Sequence, residues 1–504
     1  MKDTRKIFLE MYAACYFLHT TRISLCHHHI FRKIRRLQIL SVAAAFIATL
    51  SFFESMSVHR TMAKLLVFCL MFGSAAAFWY LLQQSPPEST YSGPDSTWYA
   101  EAARRIDSLR KGWIIIAVHD RQGRPLTGAS VTLQMQRHAF IFGSAVSAQF
   151  LTGSDSVSTR YRELVRQLFN RVTLENDLKW GPWLVETPRY NRAQTFRALD
   201  WLRAQHIPVR GHALVWGYVR ENDPVRYHSA HPERYRTALR MHLQEKMSAV
   251  GDRVVEWDAI NHIAAGGSRR LDQLYSPSFW LELLRLADSL RVPGQRLFVN
   301  EGRILITDRR NRRAAYYEVL RYLTEHEAPF DGIGMMGHFT PQTLTAPRRL
   351  WAILDSFAVF NRPILITEFD VRFGRQGEHY RLSPQEEALQ AAYTRDFLTA
   401  MFSHPAVEGV LLWGFWEGRH WYPSAALYRQ DWSIKPNGCV WEDLVFRQWW
   451  TDTTVTTDAR GRVLLRGFKG AYQLTVTYGA LRHQESFSLT DSAVTRRVIL
   501  DASR

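Results

Sequence analysis

The chain of 504 residues contains few cysteines for its length. Three of its four cysteines, Cys15, Cys26 and Cys69, fall in the first 70 residues, so only Cys439 would lie in a folded body. This distribution excludes a disulfide framework and a cysteine metal site. The sequence also lacks a phosphate-binding glycine loop and a cluster of His and Cys ligands. We therefore expect neither a metal nor a cofactor.

Acidic residues are also scarce relative to basic ones. The chain has 64 Lys and Arg against 47 Asp and Glu, which gives a net charge of +17. The basic residues stand in small pairs along the chain, and no basic run is interleaved with a nucleic-acid-binding motif. We therefore expect no nucleic-acid partner.

Long apolar runs are confined to the N-terminal region. Residues 1–61 form a basic extension that contains "RKIRRLQ" and a first apolar run. Residues 62–82 form a second run, which predicts either a membrane anchor or a signal peptide, and both alternatives predict export. Met62 resembles a natural start, so residues 1–61 are either an over-extended start or a segment with a genuine membrane helix. Residues 83–107, rich in Pro and Ser at their beginning, predict a linker.

Short apolar runs that stop at polar residues alternate with amphipathic stretches over residues 138–450. Eight such runs occur, and a buried strand followed by a helix, repeated eight times, predicts a (β/α)₈ TIM barrel of the α/β class. The catalytic residues of such a barrel lie at the carboxyl ends of its strands. The eight runs are HAFIFGSAV, RVTLENDLKW, IPVRGHALVW, VEWDAINH, RLFVNEGR, GIGMMGHF, PILITEFDV and GVLLWGFWE.

The segments on both sides of the barrel have a different period. Residues 108–137 and 451–504 alternate apolar with polar residues and contain turn sequences such as "DRQGRP" and "GFKGAY". Neither segment has enough strands to bury a face alone, so we expect the two to form one small β-sandwich beside the barrel. A structural role for this sandwich is favoured over a sugar-binding role, and both remain open.

Carboxylates, imidazoles, amides and indoles collect at the ends of the predicted barrel strands. This mixture is typical of a sugar cleft, because indole faces stack on pyranose rings while amides and charges hydrogen-bond to the hydroxyls. A single such residue is more often structural, whereas seven of the eight strands end in this way. The residues are Glu175, Asn176, Lys179, His212, Trp216, Asn261, His262, Asn300, Glu301, His338, Glu368, Asp370, Trp413, Trp416 and Glu417.

Five motifs of the predicted barrel resemble glycoside hydrolase family 10, the endo-xylanase family, and its plant-type branch in particular. They are "LENDLKW", "RGHALVW", "WDAIN", "ITEFDV" and "LLWGFWEGRHW". The resemblance covers nearly all of residues 138–450 and extends into the β-rich flanks. It implies a TIM barrel that hydrolyses a β-1,4-linked polysaccharide or oligosaccharide with retention, using two carboxyl groups about 5 Å apart. We expect a monomer.

The resemblance also implies a role for each matched residue. Glu368 matches the nucleophile, His338 the histidine that holds the nucleophile in place, and Asn261 the amide that binds the sugar 2-hydroxyl. The residues that match the pocket around the glycone sugar are Glu175, Asn176, Lys179, His212, Trp216, Trp413 and Trp421.

The position of the catalytic acid/base departs from the family pattern. The family has glutamate after W-D-x-x-N, and this chain has His262. Met336 stands where the family has glutamine two residues before the histidine of the sixth strand. Gly302, in "NEGR", stands where the family has tyrosine in N-D-Y-N. All three changes belong to the leaving-group side of the site.

Three explanations of these changes stay open. His262 or Glu301 could supply the proton, the enzyme could act on leaving groups that need less protonation, or the protein could be an exported sugar-binding pseudoenzyme. Retention of Glu368 favours catalysis, since a pure binding protein gains nothing from a nucleophile beside the anomeric carbon. We therefore predict an exported β-glycanase whose substrate is xylan or a related polysaccharide.

Overall fold

The computed structural model describes residues 89–306 and 310–501. The predicted extension over 1–61 and the predicted membrane or signal segment over 62–82 lie outside these residues. Within the described ranges, no helix is both long and apolar enough to cross a membrane.

The first helix, α1 (Ser96–Arg110), corrects the linker predicted over residues 83–107. Asp95 caps the helix, because its side chain accepts hydrogen bonds from the backbone of the first turn. Trp98 and Ile106, which lie on one face of the helix, are buried against the rest of the molecule. The prediction of a linker rests on the Pro- and Ser-rich composition of the preceding residues, which does not extend into the helix. The apolar face of α1 packs the second half of the predicted linker against the folded body.

Two strands, β1 (Lys111–His119) and β2 (Ser130–His138), follow α1 and enter different sheets. Next comes the barrel, whose strands are β3 (Ile141–Val146), β4 (Arg171–Leu174), β5 (Val209–Gly211), β6 (Val215–Trp216), β7 (Glu256–Asn261), β8 (Arg296–Glu301), β9 (Gly332–Phe339), β10 (Ile364–Val371) and β11 (Val407–Leu412).

The barrel strands confirm the eight predicted strands. They are parallel, and the third predicted strand is divided into β5 and β6, both of which pair with β7. The order around the sheet is β5, β4, β3, β11, β10, β9, β8 and β7, and the pairing of β5 with β7 closes the barrel. Every residue of β7 and β10 is buried, as expected for parallel strands that are covered on both faces.

Helices surround the barrel and cover its strands. In chain order they are α2 (Ala148–Thr152), α3 (Ser156–Leu168), α4 (Trp180–Leu184), α5 (Arg192–Ala204), α6 (Pro232–Val250), α7 (Leu271–Leu274), α8 (Ser278–Leu290), α9 (Arg310–Glu325), α10 (Pro347–Ala358), α11 (Pro384–Phe402) and α12 (Pro436–Asp443). The sequence specifies their ends locally. At the start of α11, for example, Ser383 and Glu386 form a reciprocal capping box around Pro384.

The strands of the two flanks form two sheets beside the barrel. Five strands follow α12: β12 (Asp452–Thr456), β13 (Arg462–Phe468), β14 (Gly470–Tyr478), β15 (Leu481–Leu489) and β16 (Ala493–Ile499). One sheet has the order β13-β1-β16 and the other has the order β12-β2-β14-β15. Each sheet therefore combines strands from both ends of the chain. Buried residues of both sheets, including Ile114, Ile116 and Leu474, belong to one hydrophobic core.

Candidate active site

A cavity of about 660 Å³ opens at the carboxyl ends of the barrel strands. It brings together eleven of the twelve residues predicted to bind or react, and Glu301 is the exception. The eleven residues are Glu175, Asn176, Lys179, His212, Trp216, Asn261, His262, His338, Glu368, Trp413 and Trp421.

Two carboxylates and one imidazole form the centre of the cavity. Glu368 and Asp370 lie two residues apart on β10, so their side chains emerge on the same face, and His338 lies on the neighbouring strand β9. Nε2 of His338 is 2.9 Å from a carboxylate oxygen of Glu368, and Nδ1 is 2.9 Å from an oxygen of Asp370. Because each ring nitrogen faces a carboxylate, both nitrogens donate and the ring carries a positive charge.

Burial and charge act in opposite directions on these three groups. Burial alone would lower the pKa of His338, but the charges of Asp370 and Glu368 and the hydrogen bonds to them raise it to about 9. Burial alone would raise the pKa of Glu368 and of Asp370, but the hydrogen bonds and charge of His338 lower both below their usual values. Glu368 is therefore held as a carboxylate, the form that a nucleophile requires.

An aromatic wall adjoins the three groups. Nε1 of Trp421 donates a hydrogen bond of 2.8 Å to Asp370, which fixes the indole beside the ring of His338. The guanidinium of Arg372 lies 4.7 Å from the ring centre of Trp421 and 4.6 Å from that of Tyr422. Sequence reasoning missed Arg372 and Tyr422. Arg372 could have been found, because it continues the alternation of Glu368 and Asp370 by one more step.

Lys179 lies among aromatic and polar groups at the end of the second barrel strand. Its Nζ donates a hydrogen bond of 2.8 Å to Asn176 and lies 5.8 Å from the ring centres of Trp216 and Trp413. Burial lowers the pKa of Lys179, and the nearby carboxylates only partly offset this effect. The arrangement places an ammonium group and two indoles against one part of the cavity.

His212 is oriented from behind by a residue that sequence reasoning did not assign. Nδ1 of His212 is 2.8 Å from Asp258, whose other carboxylate oxygen pairs with the buried Arg210. Burial lowers the pKa of His212, so the ring is neutral near pH 7. A neutral ring that donates from Nδ1 to a carboxylate keeps Nε2 as a hydrogen-bond acceptor.

A chain of amide hydrogen bonds fixes Asn261. Oγ1 of Thr367 donates to Oδ1 of Asn300 at 2.9 Å, and Nδ2 of Asn300 donates to Oδ1 of Asn261 at 2.9 Å. The oxygen of Asn261 is therefore occupied by a protein donor, and its Nδ2 group remains as the donor for a ligand in the cavity.

The structure places Glu301, one of the two predicted candidates for the proton donor, behind the wall of the cavity. The side chain of Glu301 is 1% exposed, and its oxygens accept hydrogen bonds from the backbone N–H groups of Gly302 at 2.8 Å and Ala264 at 2.6 Å. One of these oxygens lies 3.5 Å from Nδ1 of His262, which is 30% exposed and lines the cavity. Glu301 thus lies behind His262 and orients it, while His262 faces the cavity.

Two of the departures from the family pattern, His262 and Met336, lie next to the third, Gly302. A Cβ atom added to Gly302 would lie 3.3 Å from Cε1 of His262 and 3.2 Å from Sδ of Met336. Any side chain at position 302 would therefore press on both neighbours. The changes at His262, Gly302 and Met336 form one local rearrangement of the leaving-group side.

Two further residues at strand ends lie outside the cavity. Trp416 is buried and stacks on Trp432 with ring centres 4.3 Å apart, so it belongs to the core. Glu417 lies 3.8 Å from Nζ of Lys435. Over residues 89–306 and 310–501, no group of three or more His, Cys, Asp or Glu side chains is arranged to hold a metal ion.

The fold and the site define the class of the protein: a TIM barrel whose strand ends hold an ionised carboxylate bonded to a histidine, in a cavity lined by tryptophans. Residues 130–441 match the model of glycosyl hydrolase family 10. The chain belongs to this family.

Curated relatives of the chain include a protein named as an anti-sigma factor and proteins named as xylanases. It is 30% identical over 387 residues to the anti-sigma-I factor RsgI6 of Acetivibrio thermocellus, a match that covers 75% of this chain and 47% of that protein. It is 25% identical over 398 residues to endo-1,4-beta-xylanase 2 of Arabidopsis thaliana, covering 79% of this chain and 35% of that protein. The chain thus spans about half or less of the length of these curated relatives.

Solved structures agree with the fold. Xylanase 10B from Thermotoga petrophila, solved in complex with xylobiose, superposes with a TM-score of 0.53 at 23% identity and covers 62% of this chain and 95% of that chain. Native xylanase 10B from Thermotoga maritima gives a TM-score of 0.52 at 24% identity, with 62% and 96% coverage.

Proposed function

We propose that the protein is an exported, retaining β-1,4-glycanase that acts on xylan or a closely related polysaccharide, with His262 at the acid/base position. The observation that carries this proposal is the charged group of Glu368, His338 and Asp370 within a cavity lined by tryptophans and sugar-binding polar groups. Family membership and the named xylanase relatives support the class of substrate.

The first chemical step uses the carboxylate of Glu368. In a retaining mechanism this carboxylate attacks the anomeric carbon while the glycosidic oxygen leaves with a proton, and water later hydrolyses the glycosyl-enzyme. His338 donates a hydrogen bond to Glu368 and lowers its pKa, so the nucleophile is ionised near pH 7. The donor group of Asn261 is available for the hydroxyl next to the anomeric carbon.

The proton for the leaving oxygen comes from His262. Its Nδ1 faces Glu301, so Nε2 is the ring nitrogen available to the cavity. An imidazolium in this position donates a proton to the leaving oxygen, and the resulting neutral imidazole activates water in the second step. Gly302 has no side chain and Met336 offers only a weak acceptor, so the hydrogen bond to Glu301 is what orients the ring of His262.

A carbohydrate-binding protein without turnover is the second candidate function. Two observations favour it: histidine replaces the usual glutamate at position 262, and one relative is named as an anti-sigma factor rather than as a hydrolase. The intact bonding around Glu368 favours catalysis. A buried carboxylate is costly unless it is paired, and binding alone would not require one beside the anomeric carbon.

Covalent labelling separates the two candidates. A 2-fluoro β-xyloside with an activated aryl leaving group should modify Glu368, because a phenolate departs without a proton. Mass spectrometry of the digested protein locates the adduct, and His262→Ala should leave the labelling intact. Binding of xylo-oligosaccharides without an adduct at Glu368 would leave the binding protein as the function.

Comparing two substitutions identifies the acid. His262→Ala should lower hydrolysis of natural glycosides about 10²- to 10⁴-fold and spare activated aryl glycosides. Glu301→Gln keeps the size of the side chain and should have a smaller effect on the same substrates, because Glu301 acts through His262. A greater loss in Glu301→Gln than in His262→Ala would assign the proton to Glu301 instead.

Export is part of the proposal and rests on the apolar run at residues 62–82. Fractionation of cells that produce the full chain with a C-terminal tag tests it. The protein should be recovered in the membrane or outside the cytoplasm, and recovery of uncut chain in the cytoplasmic fraction would contradict export.

A further inference from the structure

A second concave surface lies where α1 meets the sheet of β13, β1 and β16. Its volume is about 610 Å³. Helix α1 contributes Arg104, Asp107 and Ser108, and the sheet side contributes Trp113 and Arg466. None of these residues lines the barrel cavity or has a part in the proposed hydrolysis.

Trp113 is the most unusual residue of this surface. Its side chain is 43% exposed, whereas large aromatic side chains are mostly buried. The alternation along β1 directs Ile114 into the core and Trp113 outward. The cross-strand neighbours of Trp113 are Arg466 on β13 and Ala493 on β16. Since alanine contributes only a methyl group, the indole is open on the side of Ala493.

Charged groups of both signs surround the indole. The carboxylate of Asp107 lies 3.3 Å from Nζ of Lys111 and 3.3 Å from the guanidinium of Arg466. The guanidinium carbon of Arg466 lies 5.5 Å from the ring centre of Trp113. These ion pairs cross-link α1 to the sheet and hold hydrogen-bond donors and an acceptor beside a flat aromatic face.

We propose that this surface is a second carbohydrate-binding site, which holds a β-1,4-linked glycan chain separately from the barrel cavity. An exposed indole stacks on the C–H face of a sugar ring, and fixed polar groups at its edge bind the hydroxyls. Asp107 and the cations paired with it supply an acceptor and donors at the edge of the indole, which match the hydroxyl groups of a neutral polyol. The identity of the polymer rests on the proposed function, whereas the site itself rests on Trp113.

An anionic membrane is the competing occupant, because the same sheet face also exposes Leu464 and Ile499. The test uses the full chain with Glu368→Gln, which prevents degradation of the polymer. Binding to insoluble β-1,4-xylan and insoluble β-1,4-glucan is measured with and without Trp113→Ala. We expect Trp113→Ala to weaken binding to at least one polymer tenfold or more, and Trp113→Phe to restore part of it.

Two controls make the result specific. Leu464→Ala removes an exposed apolar side chain from the same face, outside the concave surface, and should not change polymer binding. In calorimetry with xylotriose, the binding that Trp413→Ala removes reports the barrel cavity, and Trp113→Ala should leave that binding unchanged. If xylotriose binds neither the parent chain nor any of its variants, the result counts against the proposed function and not against the second site.

Three outcomes would overturn the second site. The first is that neither polymer binds the parent chain. The second is that Trp113→Ala binds both polymers as tightly as the parent chain does. The third is that Trp113→Ala and Leu464→Ala both weaken binding to vesicles of anionic phospholipid while polymer binding is unchanged. That last result would assign the surface to the membrane.

Discussion

The two sides of the barrel cavity differ in how completely their polar groups are bonded. On the glycone side, Glu368, His338, Asp370 and Trp421 bond to one another, each within 2.9 Å. On the leaving-group side, the one polar side chain within hydrogen-bond distance of His262 among the described residues is Glu301 at 3.5 Å, and the other neighbours include Gly302, Met336 and the ring of Trp216. A change on the first side leaves a buried charge without its partner, which is costly, whereas Glu301 on the second side keeps two backbone N–H donors when His262 is changed. The densely bonded side has therefore kept the family pattern, and the sparsely bonded side has departed from it.

Removing the nucleophile is the strongest test of this comparison. Glu368→Gln keeps the size of the side chain but removes the attacking carboxylate, so hydrolysis of an activated aryl β-xyloside should fall on the order of 10⁴-fold or more. Initial rates measure the effect. Glu221→Gln, at a side chain that is 92% exposed, is the matched control and should keep the parent activity. Activity of Glu368→Gln within about tenfold of the parent would mean that another group attacks.

Restoring the family residues on the leaving-group side should have the next largest effect. His262→Glu alone places a second carboxylate beside Glu301 and gives it no hydrogen-bond partner from Met336 or Gly302, so we expect little gain on natural glycosides. Adding Met336→Gln supplies a partner and should raise the rate about 10²-fold. His262→Glu with Met336→Leu fills the same space without a hydrogen bond and is the control. Full recovery by His262→Glu alone would show that the neighbours do not matter.

The raised pKa of His338 predicts a pH-dependent stability. The imidazole has a pKa of about 9 in the folded protein and about 6.5 when unfolded, so its contribution is complete below pH 6.5 and is lost as the pH rises through 9. His338→Gln should therefore lower the thermal unfolding midpoint more at pH 6 than at pH 9.5. His326→Gln, at an exposed histidine, is the control. An equal loss at both pH values would contradict the charged state of His338.

Removing one hydrogen bond on the glycone side should have the smallest effect. Trp421→Phe retains an aromatic face for the sugar but removes the Nε1–H donor to Asp370, a hydrogen bond to a charged group that is worth about 1.5–3 kcal/mol. Much of this is recovered by solvent at the cavity, so KM for xylo-oligosaccharides should rise several-fold and kcat should change less. Trp432→Phe, in the stack with Trp416, is the control. An unchanged KM would show that the bond does not position the indole.

The sequence by itself determined the barrel and the identity of most of its site residues. Eight apolar runs, each buried on both faces, gave the strand count, and parallel strands bring their carboxyl ends together regardless of the loops. For that reason Glu368, His338 and Asn261 could be placed at one rim from their strand ends alone. The matched motifs supplied their roles through resemblance to the family.

Only the tertiary structure decided contacts between residues that are distant along the chain. It showed that Glu301 lies behind His262, because two backbone N–H groups occupy its carboxylate, and that Gly302 leaves room for His262 and Met336. It also placed α1 beside Trp113, a juxtaposition that depends on packing of a segment predicted as a linker. Local periodicity determines which face of an element is apolar, whereas the partner that covers that face is selected by packing across the whole fold.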